Sequence, residues 1–140
     1  MLADRVPSTS VYVGRTIQIV RRITDADAAL LALITDNQNP AHIDDTIAEN
    51  SILGQRIVPV SLLTGLIEAA IPQLITEQLC SAQAIVCEII TQIGLEHDVT
   101  VFLNCVGQIS NSLLQAEFTV TSDSETIAAK GTVEIKIIGS

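Results

Sequence analysis

The segment VPVSLLTGLIEAAIPQLI, residues 58–75, limits what this chain can fold into more than any other stretch. Leu62, Leu66, Ala70 and Leu74 form one i, i+4 row, with Leu63, Ile67, Ile71 and Ile75 beside it. Two adjacent apolar rows make a face too wide for a surface helix, so the segment reads as a helix that must be buried. Glu68 and Pro72 interrupt it. It therefore falls short of the ~20 clean apolar residues that a membrane span needs. Pro72 removes the hydrogen bond to the carbonyl of Glu68, which predicts a kink or an early end there.

The segments around this helix supply something to bury it against. TIQIVRRI (16–23) alternates as a strand. TDADAALLALITD (24–36) follows as a helix, with Thr24 capping and Asp27 three residues on. Its apolar positions predict packing on more than one side. Asn37-Gln38-Asn39-Pro40 breaks that helix, because Pro40 pushes Asn39 away from helical angles. A short helix is expected around 44–50. Beyond the long helix the period changes to two. Val99, Val101, Leu103 and Cys105 alternate with Thr100, Phe102 and Asn104; Leu114, Ala116, Phe118 and Val120 with Gln115, Glu117 and Thr119; and Val133, Ile135 and Ile137 with Glu134 and Lys136. A less regular strand spans 82–90, and TSDSE (121–125) is a turn by composition. The order is a strand, helices, then four strands with short connections. An antiparallel sheet wrapped around one long central helix, an α+β architecture, satisfies that order within one domain spanning 1–140.

Composition narrows the function. Sixteen acidic residues against seven basic ones give a formal charge of −9, which disfavours nucleic acid and anionic membranes as partners. Hydrophobic residues make up 48% of the chain and aromatics 2%, and the mean hydropathy is +0.46. That much apolar surface is most easily hidden between subunits, so a homo-oligomer, a dimer at least, is expected. Cys80, Cys87 and Cys105 are odd in number and lack C-x-x-C spacing, which reads as reduced, mostly buried thiols and no metal site. MLADRVPSTS at the start lacks a basic region followed by an apolar one, so a cytoplasmic location is expected.

Three stretches carry a resemblance: ITDADAALLALITDNQNPAHIDD (23–45), GQRIVPVSLLTGLIEA (54–69) and, more loosely, VYVGRTIQIV (11–20). They resemble the MaoC-like branch of the hotdog fold, the family of (R)-specific enoyl-CoA hydratases. The spacing agrees without gaps from the first helix to the central one. The resemblance implies an acyl-CoA thioester as substrate or ligand and no cofactor. In the family a D-x-N-P-x-H loop activates water for addition across a trans-2-enoyl thioester, which needs a base within hydrogen-bond reach. A backbone N–H at the positive end of the central helix holds the growing charge on the thioester oxygen.

Carried over residue by residue, His42 takes the His position and Asn39-Pro40 match the N-P. The Asp position falls on Asn37, the His-Gly pair becomes Pro59-Val60, and a small polar helix position becomes Glu68. The implied catalytic residues are then His42, Asn37 and Glu68, with Asn39 and the Val60 N–H on the substrate. Asn37 keeps size and hydrogen bonding but cannot accept a proton near neutral pH. If an Asp base is required, that change alone removes a factor of ~10² to 10⁴ in rate. Two substitutes are conceivable: Asp36 after a loop slip, or Glu68 as a buried carboxylate with a raised pKa. The uninterrupted spacing favours Glu68.

Plainer readings stand beside these. His42 can be an ordinary polar residue after a turn, Asn37 a left-handed helix end, and Glu68 the partner of an Arg across a dimer. His97 reads as a solvated loop residue. Arg21, Arg22 and Arg56 suit coenzyme A phosphates or salt bridges. At the level of function, the alternatives are a non-catalytic acyl-CoA-binding or assembly protein and a thioesterase using Glu68.

Overall fold

The computed structural model describes residues 9–123 and 126–139. A short 3-10 turn at Thr9–Tyr12 leads into strand β1 (Thr16–Ile23). Three helices follow: α1 (Asp25–Thr35), α2 (Pro40–Ile43) and α3 (Asp45–Glu49). The long helix α4 is Val60–Leu74. Four strands close the chain: β2 (Leu79–Ile89), β3 (His97–Ser110), β4 (Leu113–Thr121) and β5 (Ile127–Gly139). They pair with β1 in one antiparallel sheet of order β1-β3-β4-β5-β2. The expected architecture is therefore present, with α4 lying along the inner face of the sheet.

Register explains why the inner face is apolar. Leu103 pairs with Phe118, Ala116 with Val133 and Leu114 with Ile135, so the period-two apolar sets of neighbouring strands coincide. From α4, Leu63, Ile67, Ala70, Ile71 and Leu74 press onto that surface. Most of these side chains have lost nearly all contact with water. Each fully buried Leu or Ile contributes roughly 1.5–3 kcal/mol to burial. The sheet also needs close strand contact at Gly131, where an added Cβ would lie 1.8 Å from the Val86 carbonyl oxygen.

Several expectations change in detail. The opening strand keeps its expected bounds, Thr16–Ile23, but the looser match at 11–20 is not all strand, because Gly14, at a φ of 96°, turns the chain after Tyr12. α4 continues through Pro72 to Leu74, since a proline on the exposed side of the last turn forfeits only one hydrogen bond. It is also covered on one side only. Val60, Ser61, Gly65, Glu68, Ala69 and Gln73 remain exposed in the single chain. α1 does not pack on several sides either: Ala28 is its one buried residue, and Leu30, Leu33 and Ile34 face outward. The short helix expected near 44–50 is present as α3, and an additional one, α2, precedes it; Asp44 separates the two, and its carboxylate accepts from the Ile47 N–H. His97 opens β3 and pairs with Asp123 at 2.8 Å, so it is not a loop residue. Of the expected turn at 121–125, Ser124 and Glu125 lie outside the described residues, as does most of the N-terminal stretch.

All three cysteines are free. Cys105 is buried and the other two are partly buried, and desolvation pushes all three thiols up. No helix among the described residues is long and apolar enough to cross a membrane.

Candidate active site

The loop between α1 and α4 is shaped by its own polar side chains. Thr24 and Asp27 form a reciprocal capping box at the start of α1. Asp36 ends that helix in the left-handed conformation, with φ at 56°. The left-handed helix end is thus Asp36 and not Asn37. The Asp36 carboxylate accepts from the Gln38 side-chain amide at 2.9 Å, so the loop has not slipped to present it in place of Asn37. Asn37 Oδ1 accepts from the Asn39 N–H at 3.2 Å. Asn39 Oδ1 in turn accepts from the Ala41 N–H at 3.1 Å and caps α2, with Pro40 in its first turn. These two side-chain turns carry the chain from Asn37 to His42, whose N–H donates to the Asn39 carbonyl at 3.0 Å.

His42 is half-buried, and its Nδ1 lies 2.7 Å from the Ile57 carbonyl oxygen. A carbonyl can only accept, so Nδ1 carries the proton. In the neutral imidazole the lone pair is then on Nε2, the atom free to act as a base. Ile57 is itself held by donation of its N–H to the Ala41 carbonyl at 2.9 Å. The segment carrying it runs antiparallel to residues 93–95: Val58 N–H donates to Ile93 and Leu95 N–H to Arg56. This short pairing fixes both the carbonyl that orients His42 and the entry to α4.

At that entry, Pro59 is the N-cap of α4 and offers no side-chain hydrogen bond. The first-turn N–H groups, including that of Val60, therefore have no side-chain cap, at the positive end of a 15-residue helix. Val60 is 48% exposed, so its branched side chain stands at the surface beside the N–H. Glu68, two turns on, is also exposed. The buried setting expected for its carboxylate is not present in the single chain, because the apolar rows of α4 turn inward and place Glu68 on the opposite side. The structure thus joins Asn37, Asn39 and His42 through one hydrogen-bonded loop and leaves Glu68 apart from that network.

The arginines among the described residues are engaged with carboxylates. Arg56 Nε lies 2.6 Å from Asp45, and its Nη1 pairs with Asp25. The hydrogen bond to Asp25 is the chief reason its pKa is raised further. Arg21 meets Asp27 at 3.3 Å, and Arg22 stands 3.7 Å from Glu96 and 3.9 Å from Asp98. The sequence did not reveal the contact of the Ile57 carbonyl with His42 or the clamp of Arg56 on Asp25 and Asp45. The only signal was the adjacent Arg-Ile pair in GQRIVPV, and a backbone carbonyl leaves no trace in residue types.

The family model described as "MaoC like domain" matches residues 9–127. No curated protein sequence matches the chain. Among solved structures, the chain is similar to the (R)-hydratase from A. caviae involved in PHA biosynthesis, at 18% identity and a TM-score of 0.85, covering 93% of this chain and 99% of that one. It is similar to the R-hydratase PhaJ1 from Pseudomonas aeruginosa at 21% identity and a TM-score of 0.83, covering 91% and 83%. The ChsH1-ChsH2 complex from Mycobacterium tuberculosis matches at 16% identity and a TM-score of 0.75, covering 89% and 97%. At these identities the likenesses show the hotdog fold. The match of the family model over most of the chain goes further: this protein belongs to the MaoC-like domain family.

Proposed function

We propose that this chain is a hydratase of (R)-specific enoyl-CoA type whose activity is weakened at Asn37. One observation carries the reading: the hydrogen bond from His42 Nδ1 to the Ile57 carbonyl, which leaves Nε2 as the base. In the forward direction Nε2 takes a proton from water as the water oxygen bonds to the β-carbon of a trans-2-enoyl thioester. The double-bond electrons move onto the thioester oxygen, where the Val60 N–H at the start of α4 stabilises them. As the enolate collapses, the imidazolium returns the proton to the α-carbon on the same face. The sum is syn addition of one water.

Asn37 can orient the water by hydrogen bonding but cannot share the proton transfer. Asn39 holds the loop and meets the substrate side of it. Substrate access needs a second wall, since Val60 and the outward face of α4 are exposed in the single chain. We take that wall to be a second copy, giving a cytoplasmic homodimer. Glu68 would lie on the same face. A carboxylate there becomes a proton carrier only if the dimer buries it, and turnover unchanged in Glu68→Gln would remove it from the mechanism.

The test is hydration of crotonyl-CoA, followed by loss of enoyl thioester absorbance, in wild type and His42→Ala. Slow hydration that falls by a factor of about 10² to 10⁴ without His42 is the expected outcome. Turnover that survives His42→Ala would contradict it. A second reading, a non-catalytic acyl-CoA-binding or assembly partner, is favoured by one observation, the amide at position 37. Complete inactivity in wild type and in Asn37→Asp, with retained binding of acyl-CoA, would select it. Release of free thiol from a saturated acyl-CoA, dependent on Glu68, would instead indicate a thioesterase.

A further inference from the structure

We propose that Arg56 is the positioning residue of this site. It pins the first turns of α1 and α3 to the segment that orients His42, and the proposal rests on the reading of His42 as the base.

The need for such a residue comes from what the loop region lacks. α1 buries only Ala28, α3 only Ala48, and α2 buries nothing. Packing therefore does little to hold these helices against the core. Arg56 compensates from one point. Its side chain is only 14% exposed, and two different nitrogens of its fork engage two helices. Nη1 meets Asp25, the first residue of α1, and Nε meets Asp45, the first residue of α3. Asp25 is held again from the other side, where its N–H donates to Glu96 Oε1 at 2.6 Å. His42 lies three residues before Asp45.

The backbone at the same place completes the arrangement. The Arg56 carbonyl accepts from the Leu95 N–H at 3.1 Å, which ties the segment to the region before β3. The next residue, Ile57, gives its carbonyl to His42 Nδ1 and its N–H to the Ala41 carbonyl. Side chain and backbone of two consecutive residues thus fix α1, α2, α3 and the imidazole relative to one strand-like segment. Without the guanidinium, α3 keeps only the burial of Ala48, its contact with α2 and its own short turns among the described residues, and the 2.7 Å contact at His42 must absorb the movement. A misplacement of about 1 Å at a catalytic group costs up to about 10²-fold in rate. Lysine cannot replace this, because a single ammonium cannot reach both carboxylates as a planar fork does.

The experiment compares wild type, Arg56→Gln, Arg56→Lys and Asp45→Asn. The first readout is the pair of imidazole 15N shifts of His42, which report the tautomer. The chain has two histidines, so His97→Gln assigns the spectrum. In wild type the shifts should show a proton fixed on Nδ1. In Arg56→Gln and Asp45→Asn they should move toward each other as the tautomers mix, and Arg56→Lys should recover folding without recovering the wild-type shifts. The second readout is kcat for crotonyl-CoA, expected to fall about 10- to 100-fold in Arg56→Gln with KM little changed. Folded Arg56→Gln with wild-type 15N shifts would overturn the proposal. If Arg56→Gln does not fold, Asp45→Asn decides by the same shifts. Should wild type hydrate no enoyl thioester, the proposed function fails while the tautomer measurement still decides the role of Arg56.

Discussion

Two regions of this molecule are held together by different physics. In the sheet and α4, side chains from five strands and one helix share a single core. In the stretch from Thr24 to Val58, position is set by caps, side-chain turns and the Arg56 clamp. A packed core resists change through many small contacts at once. A polar scaffold depends on a few directed bonds, each replaceable but each local. The candidate chemistry sits on the second kind of structure, at its seam with the first, where Ile57 orients His42.

Substitution can break this contrast at its strong end. Ile67 is fully buried at the centre of α4, and Ile67→Ala should cost about 2–5 kcal/mol through lost contacts and a residual cavity. Urea unfolding measures it. A cost under about 1 kcal/mol would show that the core is not as closely packed as its burial implies.

A smaller and pH-dependent effect is expected where Arg15 ties the end of α4 to the sheet. Its guanidinium donates to the Leu74 carbonyl at 3.2 Å and to Glu77 Oε1 at 2.8 Å, and it stacks 4.8 Å from the Tyr12 ring centroid. The bond from Arg15 holds the Glu77 carboxyl down to about 2, against an ordinary value of 4.5. A lowered pKa in the folded state means that the carboxylate stabilises the fold fully above about pH 4.5, and that this contribution disappears as pH falls toward about 2. Glu77→Gln should therefore lower the urea midpoint at pH 7 and flatten the loss of stability on acidification. An acid limb identical to that of wild type would show that the ion pair adds nothing measurable, the usual fate of exposed pairs.

The smallest effect sharpens the comparison at its weak end. Leu33 is 80% exposed on α1, so Leu33→Ser should change the unfolding free energy of the chain by no more than about 0.5 kcal/mol. A larger change, dependent on protein concentration, would show that this face is covered in the assembled protein.

The same division decides what could be read from the sequence. The alternation Val99, Val101, Leu103, Cys105 and the rows of α4 specify burial directly, because one side chain type repeats at the period of its element. A sheet wrapped around one central helix follows from that burial, whereas the hotdog arrangement is implied by the resemblance, and the strand order β1-β3-β4-β5-β2 leaves no mark in the periodicity. The loop was legible only in part. The resemblance located Asn37, Asn39 and His42, and the residue pattern itself gave the Thr24 cap, since those residues act through their own side chains. The orienting carbonyl of Ile57 and the double grip of Arg56 depend on placement across 11 to 31 residues of chain, and Asp36 as the left-handed helix end depends on local backbone conformation. The exposure of Glu68 in the single chain was not legible for a related reason. Ile67 and Ile71 beside it face inward, while it faces the side of α4 that a single chain does not cover.

Asn37→Asp tests the central claim most directly. The substituted carboxylate can accept the same hydrogen bond from the Asn39 N–H, so the loop should keep its shape while gaining a proton acceptor. Initial rates of crotonyl-CoA hydration by wild type and Asn37→Asp, both with His42 intact, should differ by about 10²- to 10⁴-fold in favour of the Asp variant. Equal rates in the two proteins, or no hydration by either, would contradict the account of a hydratase weakened at this one position.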